Sequence, residues 1–101
     1  MSDARKQIED NVKSKQAFIF MKGTPTFPMC GFSARAVEVL KLAKADFGFV
    51  NILENQEVWE ELKKFTNWPT SPQVFVKGEF IGGCDITVEM YESGDLQKML
   101  G

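Results

Sequence analysis

The sequence predicts an α/β fold: a central mixed four-stranded sheet with helices on both faces, in the order α-β-α-β-α-β-β-α-α. Two short apolar runs, residues 17–21 and 47–52, are separated by a stretch with helical spacing, and a strand, helix and strand in succession form a right-handed parallel crossover. Two later runs flank Lys77-Gly78, a tight-turn pair, and a hairpin is antiparallel, so the sheet is mixed. With 101 residues, 11.4 kDa, 44% apolar and 26% charged residues, the chain has the balance of one soluble globular domain over 1–101, whose core stands without disulfide staples.

Ala4, Ile8 and Val12 recur four apart behind Ser2 or Asp3 as a cap, which predicts a short amphipathic helix over 3–14. Residues 17–21, Ala-Phe-Ile-Phe-Met, read as a buried strand running into the Gly- and Pro-bearing loop 22–28. From 30 to 43 the spacing is helical, with Ala36, Val37, Val39, Leu40 and Ala43 facing inward, and 47–52 is the second strand. Asn55 caps a helix carrying Val58, Leu62 and Phe65 that ends before Trp68-Pro69, because the residue ahead of a proline leaves the helical region. Runs 73–76 and 79–81 alternate in character around the turn, and Gly82-Gly83 closes the hairpin. Asp85 is placed to cap a helix through Met90 and Tyr91, Gly94 ends it, and 95–100 forms a last turn or two. This order is the thioredoxin-like arrangement. Ligands of such open sheets sit beyond the carboxyl ends of the parallel strands, here the loop 22–30.

Composition removes several classes of function. A formal charge of −2 and a pI near 5.1, without a concentrated basic patch, argue against nucleic acid or an anionic membrane as main partner. The absence of histidine removes a Cys-His nucleophile pair, a His-bearing zinc site and a histidine pH switch. Two cysteines are too few for a stapled secreted scaffold. The N-terminus mixes both charges without an apolar core segment, as neither a secretory signal nor a transit peptide does, and the longest apolar run, 17–21, is too short for a bilayer. The expected compartment is a reducing cytoplasm, or a mitochondrial matrix after removal of a presequence.

The chemistry that remains centres on Cys30. It stands at the first turn of a helix, just past Pro28, with Lys22 at the end of the preceding strand, and free N–H groups, the helix dipole and an ammonium all favour the thiolate. Such a thiolate is a nucleophile or a soft metal ligand. A core cysteine would need none of these neighbours. Ser33 stands where a dithiol protein would carry its resolving cysteine, so a C-x-x-C disulfide is impossible and one thiol works alone.

Lys22-Gly-Thr-Pro25, Cys30-Gly-Phe-Ser33, Trp68-Pro-Thr70 with Pro72-Gln73, and Gly82-Gly-Cys-Asp85 occur in this order on the expected elements. Across nearly its whole length the chain thereby resembles a monothiol glutaredoxin of the CGFS type. The resemblance implies glutathione binding and transient carriage of a [2Fe-2S] cluster by a homodimer, in delivery of clusters to apo iron-sulfur proteins and in iron homeostasis. A pure interaction module docking a BolA-type or other regulatory partner is a rival reading. A [2Fe-2S] cluster is commonly held by four thiolates. Two copies of Cys30 and two glutathione thiolates complete that set. By the family pattern Lys22 pairs the glycine carboxylate, and Ser71 offers its backbone to the cysteinyl part if the Ser71-Pro72 bond is cis. The Gly82-Gly83 turn admits the ligand, N–H groups of Cys84 and Asp85 receive the γ-glutamyl carboxylate, and the Asp85 side chain holds the ammonium.

Two positions depart from the pattern. Trp59 stands where the family commonly carries a carboxylate-binding arginine, and Ser71 where it often has a large apolar residue. Loss of a bidentate fork weakens glutathione binding by about 1–3 kcal/mol. Lys63, one turn on, offers a point charge instead; alternatively Trp59 covers the glutathione or a partner subunit, or packs on its own helix. Cys84 is a buried structural thiol, a backbone contact, or a reserve thiol able to bridge to Cys30. Phe27, Phe32, Trp68 and Phe80 read as packing, with Phe32 also able to shield a cluster, and Lys13, Lys15, Lys41, Lys44, Lys63 and Lys64 as solvated helix faces. Cluster carriage is the leading expectation. Glutathione-dependent thiol-disulfide exchange, for which one thiol suffices, is the alternative, and a pure docking module would leave the Cys30 environment unexplained.

Overall fold

The structure, a computed structural model, describes residues 3–101. Its elements are α1 (Asp3–Ser14), β1 (Ala17–Met21), α2 (Gly31–Leu42), β2 (Phe47–Asn51), α3 (Gln56–Thr66), β3 (Gln73–Val76), β4 (Glu79–Gly82), α4 (Cys84–Ser93) and α5 (Asp95–Leu100). The strands lie in the order β2-β1-β3-β4. β1 runs parallel to β2, and β3 is antiparallel to both β1 and β4, as the crossover and hairpin required.

Side chains of a strand alternate between faces, and β1 divides the core accordingly. Ala17, Ile19 and Met21 face α2, α4 and α5, where they meet Val37, Leu40, Leu96 and Leu100. Phe18 and Phe20 face α1 and α3, where they meet Ile8, Val12, Val58 and Leu62. Both faces being covered, β1 and β3 are buried throughout, so the alternation expected for 73–76 is absent. Phe20 and Phe75 meet edge to face at 5.7 Å in the α1/α3 layer. Arg5 ties α1 to α3 through Glu61 at 2.7 Å and lies 4.9 Å over the Phe65 ring.

Several boundaries differ from the sequence expectation, each for a local reason. Cys30 is the N-cap of α2 rather than part of its first turn, with extended backbone at φ −154°, ψ 138°. Gly83, not Asp85, is the N-cap of α4; the buried Thr87 hydroxyl donates to the Gly83 carbonyl at 2.8 Å and leaves Asp85 in the first turn. Asn55 does occupy the N-cap of α3, but its side chain turns back to donate to the Asn51 carbonyl at 2.9 Å instead of capping. α3 ends because Asn67 takes the left-handed conformation, φ 54°. Lys77 and Gly78 both have positive φ, as a primed hairpin turn requires. Ser2, named as a cap of the first helix, lies outside the described residues.

The segment between α3 and β3 is held from below by one side chain. Gln73 is fully buried; its amide nitrogen donates to the carbonyls of Trp68 and Thr70 at 2.8 and 3.2 Å, and its oxygen accepts from the Thr66 hydroxyl at 2.8 Å. Leucine fills a similar volume but strands these partners. Gln73→Leu is therefore expected to lower the unfolding free energy by about 1–3 kcal/mol in denaturant titration, with no compensating change at the solvent surface.

Candidate functional site

β1 delivers Lys22 to the end of the sheet, and the loop after it is folded back by side-chain oxygens. The Gly23 N–H donates to Asn51 Oδ1 at 3.0 Å, the Lys22 N–H donates to Ser33 Oγ at 3.1 Å, and the Met29 N–H returns to the Lys22 carbonyl at 2.9 Å. Gly23 has φ +90°, and a Cβ there would stand 2.5 Å from the Phe27 carbonyl oxygen, so this position admits only glycine. The loop thus delivers Cys30 directly above the first turn of α2.

At that place the thiol is half-buried and its pKa is lowered. The Ser33 backbone N–H is the largest cause, with the Phe32 N–H, the Lys22 charge and the Ser33 hydroxyl adding to it against the opposing effect of burial. Ser33 itself is completely buried. Its oxygen accepts from Lys22, which leaves its hydroxyl hydrogen for the sulfur. Sequence reasoning treated this serine only as a missing cysteine; its spacing of three from an N-cap residue was the signal for more.

Cys30 opens onto a cleft of about 690 Å³. Lys22, Trp59, Ser71, Cys84 and Asp85, the residues singled out from the sequence, all line it together with Cys30. The Ser71-Pro72 bond is cis, as the expected role of Ser71 required. Gly83 also lines the cleft, whereas Gly82 is buried and closes against Ile86: a Cβ there would meet the Ile86 side chain at 2.7 Å, so Gly82 serves packing rather than ligand access. The first N–H groups of α4 have no partner within the helix and give that end of the cleft a positive character.

The two cysteines are electrostatically opposite. Cys84 is buried at 7% exposure and its pKa is raised, chiefly by burial and then by Asp85, with Arg35 opposing. Its surroundings favour the thiol where those of Cys30 favour the thiolate, and neither is in a disulfide. Among the described residues no three His, Cys, Asp or Glu side chains gather into a metal set.

Three expectations need correction. Lys63 does not line the cleft: its ammonium lies 3.0 Å from Glu60 Oε2 and 5.2 Å over the Trp59 ring, so it cannot stand in for the absent arginine. Its half-burial also removes it from the freely solvated lysines. Phe27 and Phe32 are not packing residues: they are 75% and 63% exposed, and with Met29 they form an apolar rim beside Cys30. Trp68 and Phe80 do pack, edge to face at 5.8 Å. Asn51 was not foreseen; its oxygen also accepts from Leu53 at 3.0 Å, closing β2.

A thiolate-favouring cysteine at a helix start, facing a cis-proline loop on this sheet, defines a thioredoxin-fold thiol protein with a single active cysteine. The glutaredoxin family model matches residues 17–81, and the chain belongs to the glutaredoxin family. It is 51% identical over 96 residues to Glutaredoxin 4 of Buchnera aphidicola, covering 95% of this chain and 85% of that protein. A protein of Rickettsia felis named as a monothiol glutaredoxin is 48% identical over 93 residues, covering 92% and 89%. The crystal structure of a buckwheat glutaredoxin-glutathione complex is similar with a TM-score of 0.85 at 26% identity, covering 96% of this chain and 86% of that one.

The asymmetry of the thiols has a direct readout. Because the Cys30 pKa is lowered, its iodoacetamide alkylation rate, followed by mass spectrometry against pH, should level off at a lower pH than that of a free cysteine. Removing the Lys22 charge in Lys22→Met should move that midpoint upward. Cys84, shifted the other way, should stay unmodified across the same range.

Proposed function

We propose that the chain binds glutathione in this cleft and carries a [2Fe-2S] cluster as cargo, shared between two copies and passed to apo-proteins. The observation that carries the reading is the lone accessible cysteine: Cys30 sits at the mouth of a cleft of tripeptide size with its pKa lowered, and Cys84 is buried with its pKa raised. One thiolate cannot satisfy a cluster that takes four. Two Cys30 thiolates and two glutathione thiolates supply them, and the cargo then lies between subunits, only partly enclosed, which suits transfer better than storage.

In this reading the γ-glutamyl carboxylate meets the N–H groups of Cys84 and Asp85 at the start of α4, and the Asp85 carboxylate takes the neighbouring ammonium. The Ser71 backbone pairs with the cysteinyl unit and orients its sulfur toward Cys30. Lys22 attracts the ligand's remaining carboxylate while stabilising the thiolate. The buckwheat complex supports glutathione as the ligand. The rim of Phe27, Met29 and Phe32 provides an apolar surface for the second copy or a BolA-type partner.

The half-buried Cys30 thiol of lowered pKa, open to the cleft, also favours a second reading, thiol-disulfide exchange. The Cys30 sulfur would attack the glutathione sulfur of a mixed disulfide and release the target as a thiolate; a second glutathione thiolate would then attack the glutathionylated Cys30 and leave as glutathione disulfide. Anaerobic reconstitution separates the readings. The cluster-bound form should elute as a dimer with one cluster and two glutathiones, and Cys30→Ser should lose cluster and dimer together. Cys84→Ser should keep both, since it preserves the backbone N–H. A monomer carrying a cluster, a cluster stable after exhaustive glutathione removal, or loss of the cluster in a folded Cys84→Ser would overturn the cluster reading.

A further inference from the structure

The charged groups of the cleft are unevenly matched to free glutathione. Among the described residues Lys22 is the one side-chain cation that lines it, and the same lining carries Cys30, whose pKa the Lys22 charge helps to lower, and the carboxylate of Asp85. In the glutathione reading, a ligand anchored by its γ-glutamyl end at the start of α4 and by its sulfur at Cys30 leaves the rest of the lining for its C-terminal end, and that remainder includes Trp59 of α3. An indole offers a carboxylate an electron-rich face, which is repulsive, whereas it offers an amide or ester an apolar contact. Lys63, the cation beside Trp59 on α3, is already engaged, since it is paired with Glu60 and lies over the Trp59 ring itself. A C-terminal carboxylate in this position must therefore compete with the thiolate for Lys22, and an incompletely paired carboxylate is costly to desolvate.

Resting on the reading of the cleft as a glutathione site, we propose that Trp59 is a specificity-determining residue that makes the cleft prefer γ-glutamylcysteinyl thiols whose C-terminal carboxylate is blocked as an amide or ester over free glutathione. The blocked ligand loses one negative charge, leaves Lys22 wholly to the Cys30 thiolate and sets its C-terminal group against the indole. The α4 end and Asp85 are unaffected, because they hold the other end of the ligand.

The test uses the reduced full chain and two probes without a free thiol, S-methylglutathione and its glycine amide, with affinities measured by calorimetry. The amide should bind at least about twofold tighter to the protein as it stands. Trp59→Arg should reverse the order and favour the free acid by about tenfold, because a guanidinium forks onto a carboxylate, and added salt should shrink that preference. Should Trp59→Arg fail to fold, Trp59→Gln carries the test, with the amide preference falling toward one. Weaker or equal binding of the amide, or a ratio that neither Trp59 variant changes, overturns this inference and leaves the glutathione reading standing. Binding of neither probe removes the glutathione reading and this inference with it.

Discussion

The buried amide of Gln73 is the interaction on which the geometry of the cleft depends. It sits on β3, in the interior of the sheet, and fastens the turn after α3 by two hydrogen bonds and the last residue of α3 by a third. That turn carries Ser71 and the cis Pro72, which form one wall of the cleft, while β1 on the neighbouring strand leads to Lys22 and Cys30 on the other. Because β1 and β3 pair directly, the two walls share a rigid floor. A buried polar group is costly unless fully satisfied, and here its satisfaction fixes a loop that has no regular structure of its own.

The opposite wall is fixed by a comparable device with different residues. Asn51 from the end of β2 and Ser33 from the start of α2 take the amides of Gly23 and Lys22 that β1 no longer pairs. A hydroxyl and an amide oxygen thus replace sheet partners at the point where the chain must leave the sheet. The thiol environment follows from this arrangement, since the first-turn N–H groups and the ammonium converge on Cys30 only if the loop folds back above them.

Much of this was legible in the sequence because it depends on short-range signals. Apolar runs, helical spacing and turn pairs gave the element order and the mixed sheet, and four motifs brought Lys22, Cys30, Ser71 and Asp85 to one place. What sequence reading missed depends on which neighbour a polar group reaches. Asp85 and Asn55 have the chemistry of caps, yet Gly83 took the N-cap of α4 because Thr87 satisfies its carbonyl, and the Asn55 side chain found a partner in Asn51 instead. The exposure of Phe27 and Phe32 was equally hidden, because an aromatic residue in a loop carries no periodicity to say which way it faces. Trp59 and Lys63 are legible as neighbours one turn apart, but spacing does not say that the lysine is held by the indole and Glu60 rather than by the cleft.

The apolar rim of Phe27, Met29 and Phe32 has a consequence for the local dielectric. A surface closing on that rim would strip water from Cys30 and the Lys22 ammonium together, and the attraction between two opposite charges grows as the medium around them becomes less polarisable. The N–H groups of Ser33 and Phe32 already point at the sulfur, so it would exchange mobile water for fixed dipoles instead of losing its solvation. Contact at the rim would thereby reach the sulfur through the local dielectric.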